Sequence, residues 1–282
     1  MQLTRRRFLQ MAGIGASASL VGGLRVYHNA YQTVVERLEV PLPGLPPGLE
    51  GLRIGLMADL HAGATMQPSH IRAATQLLAQ EQPDIVFHLG DFIESDSALA
   101  PACADILSIL TPVHGSFAVL GNHDYWAGHR GMAKVRQALE AQGIDALVNE
   151  SRSLSINGET LYLAGLAEYF HDTPSPDKTF AGVPNQGFTL TLVHEPDYAD
   201  ILARETGGLL PLQLSGHSHG GQVKFPLLGA LVLPPMGRRY PEGLARVQGT
   251  ERQVYTTRGV GHVMPMRLGC PPEVTLLTLR GV

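Results

Sequence analysis

Three times in its first half the chain runs from a short apolar stretch into a polar tip and then into an amphipathic segment. This repetition limits the fold more than any other feature. Residues 52–58 end in Asp59-Leu60-His61. Residues 68–82 then read as a helix, with Pro68 in its first turn and Ile71, Ala74 and Leu78 on one face. Residues 85–89 end in Gly90-Asp91, and a helix is expected within residues 98–110. Residues 116–120 end in Gly121-Asn122-His123-Asp124. They lead into a helix over residues 130–142, with Met132, Val135 and Leu139 on one face and Gly143 as its stop. Strand, polar tip and helix in repetition is the βαβ pattern of an α/β fold, in which function collects at the carboxyl ends of strands.

The second half is richer in strands. Residues 151–156 and 159–166 read as a hairpin over Asn157-Gly158. Residues 188–193 form a strand ending in His194-Glu195-Pro196-Asp197, with a short helix to about residue 205. Residues 212–215 lead into Gly216-His217-Ser218-His219-Gly220-Gly221. At a strand end, residues i and i+2 point the same way, so both imidazoles face one region, and the glycines admit close backbone approach. Residues 225–243 are an apolar, proline-rich loop expected to pack as core, or else to meet an acyl chain or a membrane; residues 253–257 and 274–279 close the sheet.

Toward the amino end, residues 26–40 can be read as helix or strand, and residues 41–48 are turn-rich. The expected division is residues 1–25 as an address, 26–50 as a linker and 51–282 as one domain. Paired Arg5 and Arg6, followed by Phe8-Leu9, resemble a twin-arginine signal, which implies the twin-arginine export machinery as a partner. The 17 uncharged residues from Phe8 to Leu24 reach the lower limit for spanning a bilayer, so the segment is either cut or kept as an anchor. The expected location is across, or anchored to, the bacterial cytoplasmic membrane: periplasm or cell envelope.

A net charge of −4 with no Lys/Arg stripe in the folded part argues against a dedicated nucleic-acid binder, which needs a basic footprint. Cys103 and Cys270 are too far apart for a ribbon or disulfide framework and are expected as buried free thiols.

The tips together hold Asp59, His61, Asp91, Asn122, His123, His194, His217 and His219. Singly, each can be a strand-end cap or a turn former. Together they offer imidazole nitrogen and carboxylate oxygen, the donor mixture that Zn²⁺, Mn²⁺ and Fe²⁺ accept. They are too many for one ion and suit two divalent ions bridged by a carboxylate, an arrangement that clamps a phosphoryl group.

Asp59-Leu60-His61, Gly90-Asp91, Gly121-Asn122-His123-Asp124, His194 and Gly216-His217-Ser218-His219 resemble, in order, the signature of the calcineurin-like metallophosphoesterases. The resemblance runs from about residue 52 to the carboxyl end. It implies a four-layer α/β/β/α sandwich of two mixed sheets with two metals at one edge. It places the first metal on Asp59, His61, Asp91 and His219, and the second on bridging Asp91 with Asn122, His194 and His217. It leaves His123 facing substrate, with Asp124 as its orienter, and implies in-line attack by a metal-bridging hydroxide.

His194-Glu195-Pro196-Asp197, Gly220-Gly221-Gln222-Val223, Arg258-Gly259-Val260-Gly261 and Pro265-Met266-Arg267, with the paired arginines, are similar to an exported or membrane-anchored subgroup. Ala58 and Glu168 depart from the family's usual residues without touching the ligand set. The reading implied is a metal-dependent hydrolase of a phosphodiester or pyrophosphate bond, with a lipid or cell-envelope substrate such as UDP-2,3-diacylglucosamine. Alternatives are a phosphomonoesterase or nuclease of the same family, or a metal-binding scaffold without turnover. Arg258 and Arg267 are candidates for contacting substrate phosphate or for structural roles. His262 is a candidate for approaching the site, and His88 for the core.

Overall fold

Alternating burial along the strands sets the layers. The computed structural model describes residue 23, residues 26–207 and residues 210–282. The paired arginines lie outside the described residues. The first sheet is built from β1 (Val34–Leu42), β2 (Arg53–Met57), β3 (Ile85–Leu89), β4 (Ser116–Val119), β5 (Ile144–Ala146) and β14 (Glu273–Gly281), in the order β1-β14-β2-β3-β4-β5. β2 to β5 run parallel, and β14 is antiparallel to β2.

The second sheet is built from β6 (Glu150–Ile156), β7 (Glu159–Gly165), β8 (Thr189–Leu192), β9 (Leu212–Ser215), β12 (Gly243–Arg246) and β13 (Gln253–Thr256). Its order is β12-β13-β9-β8-β7-β6, with β7, β8, β9 and β13 parallel. β6 and β7 form the expected hairpin, with Asn157 and Gly158 both at positive φ as a tight two-residue turn requires.

Ile54, Leu56, Phe87 and Val119 pack between the sheets against Leu161, Leu163, Leu190 and Leu212. Their strand neighbours Met57, Val86 and Ala118 point to the other face, as the two-residue period demands. There they meet Ile71 and Leu78 of α1 (Pro68–Gln80), Ala104 of α2 (Ala100–Leu107) and Leu139 of α3 (Gly128–Ala141). The second sheet is covered outside by α5 (Ala199–Glu205), through Ala199 and Leu202, and by Tyr198 and Tyr240. A short α4 (Pro176–Phe180) lies in the β7–β8 connection. The result is a four-layer α/β/β/α sandwich. Cys103 and Cys270 are free and buried.

Two expectations are corrected. Residues 26–50 are not a linker: β1 pairs in parallel with β14 along its whole length, and Val40 and Leu42 are fully buried in the inter-sheet core. The apolar loop is not core. It carries the small hairpin β10 (Lys224–Phe225) and β11 (Gly229–Ala230), and Leu227, Leu228, Leu231 and Val232 are exposed. Among the described residues, no helix is long and apolar enough to cross a membrane.

Candidate metal centre

Parallel strands place all their carboxyl ends at one edge, and the two sheets share that edge. The first-sheet ladder continues past its strands: Asp59 N donates to Gly90 O at 2.9 Å and His61 N to Asp91 O at 3.0 Å. The second sheet does the same, with Gly216 N donating to His194 O at 3.0 Å. His217 N donates to Asp59 Oδ1 at 2.9 Å and ties the sheets together. The tips are thus held as rigidly as the strands that carry them.

That tethering sustains unusual backbone. Asp59, His61, Asp91, His217 and His219 all have positive φ, between 47° and 70°. Non-glycine residues occupy this region at a cost of about 1–3 kcal/mol each and are found there where function demands a side-chain direction. Close packing is equally demanding: at Gly90, with φ of 91°, an added Cβ would stand 2.5 Å from His194 Nδ1. At Gly259 a Cβ would meet Asp59 Oδ2 at the same 2.5 Å.

The side chains converge. His61 Nε2 and His219 Nε2 face one another at 3.0 Å. Asp91 Oδ2 lies 3.6 Å from His61 Nε2 and 3.3 Å from His194 Nε2. His217 Nδ1 stands 3.0 Å from Asn122 Oδ1. Three sets of donor atoms each fit within 4.8 Å: Asp59, His61 and His219; His61, Asp91 and His123; Asp91, His194 and His217. Asp59 Oδ2 and His194 Nε2 are buried with no hydrogen-bond partner. An unpaired buried carboxylate oxygen in one donor set and an unpaired imidazole nitrogen in another are costly unless cations are bound there, so the residues fit divalent metal.

Outer contacts set which ring nitrogen faces inward. His194 Nδ1 donates to Leu89 O at 2.6 Å, which leaves Nε2 toward Asp91. His217 Nε2 donates to Pro235 O at 2.9 Å, which leaves Nδ1 toward Asn122. Such partners fix the tautomer of a ligating histidine. Burial drives His217 down to about 4. Burial, His61 and Arg267 hold His219 well below the usual imidazole range. Both are therefore neutral near pH 7, the form that binds metal. Burial lifts the Asp59 carboxyl to about 6. Burial opposes charge on Asp91 too, but His194 and His61 outweigh it and hold its carboxyl well below the ordinary value.

His123 is placed differently. Its ring stacks on Trp126 at a centroid distance of 3.6 Å, and Nδ1 donates to the Glu94 carbonyl at 2.9 Å. Asp124 does not orient it. The Asp124 carboxylate accepts from the backbone amides of Asp91, Phe92, Ile93 and Gly121 at 2.9–3.3 Å. It locks the β3 tip to the β4 tip, and its role is positional.

Sequence reasoning missed Glu94, whose Oε2 lies 3.0 Å from His61 Nδ1 and whose carbonyl holds His123. Its position three residues after Asp91, in the same tip, was the available signal. Arg267 and Arg258 do not serve as phosphate contacts. Arg267 is fully buried, with Nη1 donating to His219 O at 2.9 Å and Nη2 to Arg258 O at 2.9 Å. Arg258 pairs with Glu36 and Glu273. His262 is buried against Tyr31 outside the donor sets, and His88 is a core residue.

A cavity of about 490 Å³ opens above the donors. Asp91, Asn122, His123, His217 and His219 form its floor, and Leu231, Val232, Pro234, Val263, Met264 and Met266 its walls.

The sequence pattern of the calcineurin-like phosphoesterases matches residues 52–221. The chain is 32% identical to phosphodiesterase YaeI of Escherichia coli, over 98% of this chain and 99% of that protein. It is 28% identical to the uncharacterized metallophosphoesterase YkuE of Bacillus subtilis, over 99% and 98%. The solved Haemophilus influenzae NAD nucleotidase superposes with a TM-score of 0.50 at 15% identity, over 74% of this chain and 45% of that one, a likeness of fold alone. The chain belongs to the calcineurin-like phosphoesterase family and is a metal-dependent phosphoester hydrolase.

Proposed function

We propose that the chain hydrolyses a phosphodiester or pyrophosphate bond at a dinuclear centre in which Asp91 would be shared by two divalent ions, Mn, Zn or Fe. Asp59, His61, Asp91 and His219 would hold the first ion, and Asp91, Asn122, His194 and His217 the second. The observation that carries this is Asp91 Oδ2, which faces His61 Nε2 on one side and His194 Nε2 on the other. His217 and His219 then serve different ions, so their spacing spans the centre. Bound ions supply positive charge to the phosphoryl oxygens and lower the pKa of an attacking water.

The chain's own residues do the rest. The Glu94 carbonyl holds His123 Nδ1–H, so Nε2 is the nitrogen that meets substrate. There it protonates the leaving oxygen or stabilises its charge. Trp126 fixes the ring plane.

The apolar walls favour an apolar group on the substrate, hence a lipid-linked phosphodiester or diphosphate. Among the described residues, no lysine or arginine lines the cavity. That counts against a polyanionic nucleic acid, whose backbone needs a cationic track beyond the ions themselves. The name of the relative YaeI also favours the diester. Export or anchoring through residues 1–25 belongs to the same proposal.

The test is hydrolysis of bis(p-nitrophenyl) phosphate, p-nitrophenyl phosphate and UDP-2,3-diacylglucosamine with each defined metal. The diester and the lipid-linked diphosphate should be cleaved faster than the monoester. Preference for the monoester would overturn the reading.

A further inference from the structure

The hairpin after the metal-binding tip ends in Phe225-Pro226-Leu227-Leu228-Gly229. Leu227 sits there at φ of 71°, the turn position after a proline that suits glycine or asparagine. Its side chain is fully exposed, and Leu228 beside it is 76% exposed. A leucine that strains its backbone and touches no core is not explained by folding. Val232, one strand further on, is equally open.

A second exposed apolar group adjoins it. Val263, Met264 and Met266 stand about half exposed on the loop before Arg267. The two elements are fastened together: Lys224 N donates to Leu268 O at 2.8 Å, and Val263 N to Gln222 Oε1 at 3.0 Å. They form one apolar face, continuous with the cavity walls. The exposed Arg238 reaches the segment that carries Leu231 and Val232, its Nε donating to Leu233 O at 3.4 Å, and its guanidinium pairs with no carboxylate among the described residues. A free cation on the segment that exposes Leu231 and Val232 suits a surface of apolar chains under anionic phosphates.

The chain upstream attaches at this same face. Val26 O accepts from Arg267 N at 3.3 Å. The sequence before Val26 contains the uncharged run from Phe8 to Leu24. Any membrane contact made by that run is therefore tethered beside the hairpin.

We infer that this face docks on a lipid bilayer, with Leu227 and Leu228 entering the boundary between headgroups and acyl chains and the cavity mouth opening at that boundary. The inference stands apart from the proposed reaction, because it can be read without hydrolysis.

The experiment uses the full chain carrying Leu227→Cys, labelled with a polarity-sensitive fluorophore. Native Cys103 and Cys270 are buried and leave the new thiol as the accessible one. Val113→Cys is the control, exposed on the loop before β4 at the opposite strand edge. With vesicles of phosphatidylcholine and phosphatidylglycerol, the label at position 227 should shift to the blue, and the label at 113 should not.

A label at 227 that stays in water while the protein sediments with vesicles would overturn the inference. So would a label already shielded without lipid, since the upstream segment or a second copy would then cover the tip. The pair Leu227→Asn and Leu228→Asn, which suits the turn backbone, should weaken vesicle partitioning at least about tenfold and leave bis(p-nitrophenyl) phosphate hydrolysis unchanged. Unchanged partitioning would also overturn it.

Discussion

The floor and the walls of the cavity face the same space but are held by different forces. On the floor, continued hydrogen-bond ladders tie the end of β2 to β3 and of β8 to β9, the Asp124 and Asp59 carboxylates tie in β4 and join the sheets, and Asp59, His61, Asp91, His217 and His219 keep strained backbone. On the walls, Leu231, Val232, Val263 and Met264 are open to solvent and belong to no described core cluster. A fold can sustain several kcal/mol of local strain only where the surroundings over-determine it. The floor therefore fixes the chemistry, and the walls are free to set which substrate or surface is met. Substitutions should separate the two: floor changes should alter turnover, metal or stability, and wall changes should alter recognition alone.

The largest effect should come from His123→Ala. Turnover of bis(p-nitrophenyl) phosphate should fall by about 10²–10⁴-fold, with the metal content unchanged. Turnover at the wild-type rate would show that His123 plays no part in the reaction. Asp124→Ala comes next and acts on stability. It orphans the four amides of Asp91, Phe92, Ile93 and Gly121. Several unsatisfied buried donors should cost roughly 3 kcal/mol or more in urea unfolding; a change below about 1 kcal/mol would mean that water replaces the carboxylate. Leu231→Ser should be smallest. It should raise KM for a substrate with an acyl chain by about tenfold and leave kcat on the small diester alone. An equal effect on both substrates would erase the distinction between floor and walls.

The floor was legible in the sequence because each donor follows a short apolar run and precedes a break. His194 and His217 could be placed on one edge before any coordinates, since parallel strands put their carboxyl ends together. Less local features were not legible. β1 carries Glu36, Arg37, Glu39 and Pro41, a composition typical of loops, and its partner β14 lies more than two hundred residues away. Glu94 was signalled only by its place in the Asp91 tip, and the backbone course after β3 is what turns it toward His61. The apolar loop has the composition of a core or of a lipid-facing surface, and its sequence alone does not decide between them. The positive φ of five donors was likewise hidden, because aspartate and histidine do not announce it as glycine would. The family resemblance pairs Asp124 with His123, whereas its carboxylate turns back to the β3 tip.

The central claim is that Asp91 joins two ions. Asp91→Ala removes the one oxygen that faces both His61 and His194. Elemental analysis of purified wild-type protein should find two divalent ions per chain, and the variant should hold neither. A variant that retains both ions, or a wild type that saturates with one, would contradict the account.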